Sequence, residues 1–164
     1  MTGGLCDHVR FCAAVSLSTL ALGAFAQGQP PLRALDAAGR ALVAARCAHP
    51  QEVKTSQVMG TADQMQAIDC RSFRLALYLA YAGGGRSHES AMGLVVTARG
   101  PALPAGFAVG MAAADVPRLL GPPTVAHAHS LRYLLDASRP TGDSITFEIR
   151  AAQVQTIAWN WRVD

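Results

Sequence analysis

Lysine is almost absent from this sequence: of its 14 basic residues, all but Lys54 are arginines, and they are scattered singly. Charged residues make up 15% of the chain and aromatics 6%. Nowhere do they form the basic run with interleaved aromatics that grips nucleic acid, so nucleic acid is not expected as a partner. No apolar run reaches the roughly 20 residues that a helix needs to cross a bilayer. There is no Cys-x-x-Cys and no Cys-His signature, which argues against a zinc or redox centre. A Gly-x-Ser-x-Gly elbow is also missing. These absences leave no motif that calls for a metal, a cofactor or a catalytic group, and the expectation is that the protein is not an enzyme.

At the N-terminus, Arg10 precedes an apolar run from Phe11 to Leu22, and Ala24-Phe25-Ala26 matches an A-x-A cleavage site. Residues 1–26 therefore read as a secretory signal peptide, too short for a membrane anchor, with the mature chain beginning at Gln27. Its removal takes one Arg and one Asp and leaves the formal charge at +3. No Cys follows the cleavage site, so no lipid anchor is indicated. A periplasmic or secreted protein without stable membrane insertion is expected.

Cys6 and Cys12 fall in the signal peptide, leaving Cys47 and Cys70. Two cysteines in an exported chain most simply pair, and closing a loop of about 24 residues stabilises by roughly 3 kcal/mol in the chain-entropy picture.

The N-terminal part, residues 27–100, starts with a leader (27–31) and a helix over 32–46, with Leu35, Leu42, Ala38 and Ala45 on one face. His49-Pro50 ends the helix. Residues 50–60 read as a loop or edge strand, and the period is ambiguous from Gln64 onward. Phe73, Leu75, Leu77, Leu79 and Tyr81 alternate with Arg74, Ala76, Tyr78 and Ala80, which predicts a strand. Gly83-Gly84-Gly85 is expected to open a polar loop to Ser90 before a second arm at Met92, Leu94, Val96 and Ala98. Two prolines and two glycines in 100–106 mark a subdomain boundary, with 101–106 as linker.

The clearest periodicity lies in residues 107–164. Val116, Leu119 and Leu120 form a helical stripe, Asp115 is placed as N-cap so that Pro117 falls in the first turn, and Gly121-Pro122-Pro123 ends the helix. Three strands of a meander follow. Leu131, Tyr133 and Leu135 share one face, as do Ile145, Phe147 and Ile149, and Ile157, Trp159, Trp161 and Val163. Arg150-Ala151-Ala152-Gln153 lacks the Gly, Asn or Asp of a tight primed turn, which predicts a longer loop or a bulge. The fold class these patterns predict is α+β in two layers, with helices packed on one face of an antiparallel sheet.

Val109-Gly110-Met111, Val116, Leu119-Leu120-Gly121-Pro122, Leu131-Arg132-Tyr133, Ile145-Thr146-Phe147 and Val154-Gln155-Thr156-Ile157 resemble the SmpA/OmlA (BamE-like) family over the last third of the chain. That resemblance implies a fold similar to each half of the bacterial β-lactamase-inhibitor proteins. The chain departs from the pattern at Ala112, where the family usually has a capping Thr or Ser, and at Pro117.

Several groups compete for a functional role. Gly83 to Glu89 lacks the Lys-Ser/Thr ending of a phosphate-binding loop. Ser87, His88 and Glu89 are triad residue types, but adjacent residues do not readily meet triad geometry. His127 and His129 supply half of a metal site, with only Asp136 or Asp143 nearby to complete it. Trp159 and Trp161 read either as exposed anchors for a partner or as core beneath the helix. The core reading is preferred because the helix stripe needs their apolar face. Binding then falls to the polar face around Arg132, Glu148 and Arg162. The sequence thus points to an exported, non-catalytic interaction module whose partner is another envelope protein. The alternative is a periplasmic metal- or small-ligand-binding protein using His127 and His129.

Overall fold

A computed structural model describes residues 30–163. The expected signal peptide, with Cys6 and Cys12, lies outside the described residues. Helix α1 (Pro30–Ala45) starts on Pro30 and Pro31, where a missing amide hydrogen costs nothing in a first turn. Strands β1 (Glu52–Gln57), β2 (Gln64–Asp69), β3 (Phe73–Ala82) and β4 (Gly85–Val96) follow; then come a 3₁₀ turn (Pro104–Gly106), α2 (Asp115–Leu120) and strands β5 (Val125–His127), β6 (Ser130–Leu134), β7 (Ser144–Arg150) and β8 (Gln153–Asn160). The eight strands make one antiparallel sheet in the order β1-β2-β3-β4-β8-β7-β6-β5.

Period-two alternation places the core. Val53, Ile68, Leu75, Leu94, Trp159, Ile145 and Tyr133 are register partners on successive strands across the sheet. A second row runs Phe73, Val96, Ile157, Phe147, Leu131. Apart from Val53 at the edge, these rows are buried or half-buried. The buried residues of α1 are Leu32, Leu35 and Gly39. A Cβ built on Gly39 would lie 2.6 Å from Trp159 Nε1, so the absent side chain is what lets the helix backbone rest on the indole. Further along, Trp161 Nε1 donates to Asp36 Oδ1 at 2.8 Å, and the Arg40 guanidinium sits 5.1 Å from the Trp161 ring. The Cys47–Cys70 disulfide ties the end of α1 to the turn between β2 and β3. Phe107, after the 3₁₀ turn, packs on Phe147, and Tyr133 donates its hydroxyl hydrogen to Gly121 O at 3.1 Å, holding the end of α2 to the sheet.

The expected two-layer α+β fold is corrected by this sheet. Strand accounts for 42% and helix for 19% of the described residues, so the architecture is an antiparallel sheet with two short helices and not a layer of helices on a sheet. Width explains why. Eight strands about 4.8 Å apart span about 34 Å, whereas one helix is about 10 Å across. The sequence pattern leaves β1 open as a loop or edge strand and β2 ambiguous in period, and it places no strand at β5, because these segments are short or exposed and carry little alternation. Residues 101–106 hold the 3₁₀ turn, and β4 pairs with β8, so one sheet runs through both halves.

Local expectations are corrected too. The polar loop expected up to Ser90 is a two-residue turn at Gly83 and Gly84, both at positive φ, and β4 resumes at Gly85. Between β7 and β8, Ala151 (φ 51) and Ala152 (φ 58) make a tight turn without glycine. Neighbouring backbone holds it in place: Ala113 N donates to Ala152 O at 2.9 Å, and Val154 N to Met111 O at 3.0 Å. The bulge foreseen there also exists, one step back at Glu148/Ile149, and it re-aims Val154 into the core. In α2, Ala114 and not Asp115 is the N-cap, and Leu119 is 37% exposed instead of sharing the buried stripe with Val116 and Leu120.

Candidate functional site

The alternation that fills the core also builds the opposite face of the sheet. One row there runs Ala67, Ala76, Gly93, Asn160, Ser144, Leu134. The next runs Asp69, Arg74, Val95, Ala158, Thr146, Arg132, Val125. Small side chains, Ala76, Gly93, Ser144, Ala158 and Thr146, dominate their middle, and the second row carries charge at Asp69, Arg74 and Arg132. The buried apolar side chains of α1 and α2 all belong to the cluster on the first face, and Gly39 rests on Trp159 of that face, so among the described residues no helix occupies the second. Ser144 is only 1% exposed, and its small neighbours Ala76, Gly93 and Ala158 are half-buried without a helix above them. Such a face can accept another sheet or a broad protein surface, with the flanking charges setting register.

Arg132 on β6 and Glu148 on β7 come together here: Arg132 faces Thr146, Glu148 faces Ser130, and the two are diagonal neighbours. Neither has a side-chain hydrogen bond or ion pair among the described residues, so both are available to an incoming group. Arg162 does not join them. It lies beyond the end of β8, where its backbone N–H donates to Asp143 Oδ1 at 2.9 Å, and Asp143 Oδ2 accepts from Arg40 Nη2 at 3.2 Å. Trp159 is 0% and Trp161 5% exposed, which takes both out of the surface.

At the other flank, Arg74 pairs with Asp69, and that ion pair raises the Arg74 pKa. At the opposite end of β2, Tyr78 donates its hydroxyl hydrogen to Asp63 Oδ2, and the Tyr81 backbone N–H donates to Asp63 Oδ1 at 2.9 Å. These two donors lower the Asp63 pKa, Tyr78 contributing most, and the same bond raises that of Tyr78. The two contacts staple the β1–β2 hairpin to β3 at both ends of β2. Sequence reasoning missed them, although the alternating Arg74, Ala76, Tyr78, Ala80 already marked their face. A cleft of about 510 Å³ opens at the Asp69–Arg74 end of these strands, its charged lining being Glu52, Asp69, Arg71 and Arg74.

The remaining candidates do not converge. Ser90 Oγ lies 2.7 Å from His88 Nε2 on β4, but Glu89 points to the other sheet face and pairs with Arg46. His127 and His129 sit exposed at the β5–β6 hairpin, while Asp136 caps Ser138 and Asp143 serves Arg162 and Arg40. Among the described residues no group of three or more His, Cys, Asp or Glu is placed to hold a metal ion. No family model, curated protein or solved structure matches the chain.

Proposed function

We propose that the protein is an exported, non-catalytic interaction module of the bacterial cell envelope, similar in role to SmpA/OmlA proteins, that binds another envelope protein through the open sheet face. The observation that carries this reading is the uncovered face itself. Its small-residue centre at Ala67, Ala76, Gly93 and Ala158 gives close access, and Arg132 and Glu148 beside it are unpaired. Export rests on the N-terminal sequence and on the use of cysteine in a disulfide, which oxidising compartments favour.

Capture from an envelope extract, with the mature chain immobilised, tests it. Ala158→Arg should block the face sterically and Arg132→Glu should reverse its charge. Each should weaken capture of the same partner by about 2 kcal/mol or more, the scale of a central contact, while leaving the unfolding midpoint within about 0.5 kcal/mol of wild type. Undiminished capture by Ala158→Arg would overturn the proposal.

A further inference from the structure

Among the described residues the sheet ends on two unpaired edges, and they are unequal. β5 is three residues long, whereas β1 is six, and every residue of β1 is exposed. Val53 is 48% exposed although it continues the core row through Ile68. An edge strand of this length is a template for another strand.

Backbone direction and charge narrow what can add to it. Val58 N donates to Asp63 O at 2.9 Å, so Ser56, Lys54 and Glu52 also turn their backbone groups toward β2, and Val53, Thr55 and Gln57 turn theirs outward. Two copies related by a twofold axis pair each residue with its mirror about the axis. Centring on Lys54 would set Lys54 directly against its copy, and like charges directly opposite oppose pairing. Centring on Thr55 would set Lys54 against Ser56 and leave the charges unmatched. Centring on Val53 sets Glu52 against Lys54 of the second copy, and Lys54 against Glu52, while Val53 covers Val53. In the single chain Lys54 Nζ reaches only its own strand's Glu52, at 3.0 Å. Gln51 N–H is already used on Asp69 O, at 2.7 Å, so the outward ladder is short, with Val53 at its centre and Glu52 and Lys54 on either side.

We propose that a second copy of this chain pairs antiparallel along β1 about Val53, so that the lone lysine of the sequence selects the register. The twofold axis is normal to the sheet. It therefore joins the two open faces into one surface on the same side, an isologous contact that closes on itself and leaves only the short β5 edges free. This inference stands apart from the envelope-partner reading, because it concerns the edge and not the face.

Sedimentation of the oxidised mature chain at low ionic strength tests it, since exposed charge pairs are screened by salt. A concentration-dependent dimer is expected. Glu52→Lys and Lys54→Glu should each weaken it at least tenfold, and the double variant should recover to within about threefold of wild type. Mixing the two single variants should then yield a heterodimer tighter than either homodimer, because all-lysine and all-glutamate edges meet. That last result also shows that both variants are folded. A chain that stays monomeric up to about 0.5 mM, a dimer indifferent to both reversals, or singles that fail to combine would overturn the proposal.

Discussion

Replacing Gly39 by alanine tests how α1 is seated on the sheet. In an exposed helix interior this change gains about 1 kcal/mol, since glycine is that much the poorer helix former. Here the added Cβ would meet three atoms of one ring, Trp159 Nε1 at 2.6 Å, Cε2 at 2.8 Å and Cδ1 at 3.0 Å. The ring is fully buried, and its register partners are Leu94 and Ile145, themselves fully buried, so it has nowhere to move. Either α1 lifts or the indole tilts, and overpacking of this kind costs about 1–3 kcal/mol. The clash outweighs the propensity, and a net loss of about 1–2 kcal/mol is expected. With a urea slope of about 2 kcal/mol/M, the midpoint falls by about 0.5–1 M, read by tryptophan fluorescence on the disulfide-bonded chain. Ala37→Gly, at an exposed position of the same helix, serves as a control and should lose about 1 kcal/mol through propensity alone. Trp159→Phe removes the offending atoms, together with a buried indole N–H that has no partner among the described residues. Gly39→Ala should therefore cost less in that background, by a coupling of at least about 0.5 kcal/mol. A Gly39→Ala midpoint at or above wild type, or strict additivity of the pair, would refute this seating of the helix.

Trp161→Ala should destabilise by roughly 3–5 kcal/mol, through lost burial and a vacated Asp36 partner, and an unchanged midpoint in the same urea assay would return Trp161 to the surface. Reducing and alkylating Cys47 and Cys70 should lower stability by roughly 3 kcal/mol as the unfolded chain regains loop entropy; equal midpoints for the two forms would exclude the bond as a structural tie. Ala152→Gly should stabilise by about 0.5–1 kcal/mol, because an L-residue at φ 58 is sterically strained and glycine is not, and a lowered midpoint would contradict that strain. Burial pushes the Tyr133 phenol from its ordinary 10.0 up to about 12. Folded protein thus keeps a proton that the unfolded chain releases, and stability present below pH 10 is lost as pH rises toward about 12. Tyr133→Phe should remove that component of the alkaline decline, measured as the difference between unfolding midpoints at pH 9 and pH 11.

Some of this protein was determined by its sequence alone, wherever a local pattern coincides with a buried face. The alternation at 73–79, 131–135, 145–149 and 157–161 assigned side chains to faces, because a residue's side of a strand is set by backbone geometry and needs no knowledge of the neighbour. The end of α2 at Gly121, at φ 75, follows from local chemistry in the same way. So does the Cys47–Cys70 pairing, since only those two cysteines remain in the expected mature chain. Of the candidate site, Arg132 and Glu148 were legible as polar members of alternating strands.

What the tertiary structure decided are features whose cause lies far away in the chain. β1 is exposed on both faces because it lies beyond the width that α1 can cover, and Val53 alone marks its core side. The Ala151–Ala152 turn violates its own local preference, held by the bond that Ala113 N–H donates to Ala152 O and the one that Val154 N–H donates to Met111 O. Gly39 looks like a flaw in a helix until Trp159, on a strand 120 positions further on, is placed beneath it. Arg162 shares the parity of the open face, yet the strand ends before it, and Asp143 holds its backbone outside the cluster. Fold class belongs to this group as well. Strand count depends on hydrogen-bond partners that edge segments find only once the central strands are in register, and that pairing is invisible in any window of the sequence.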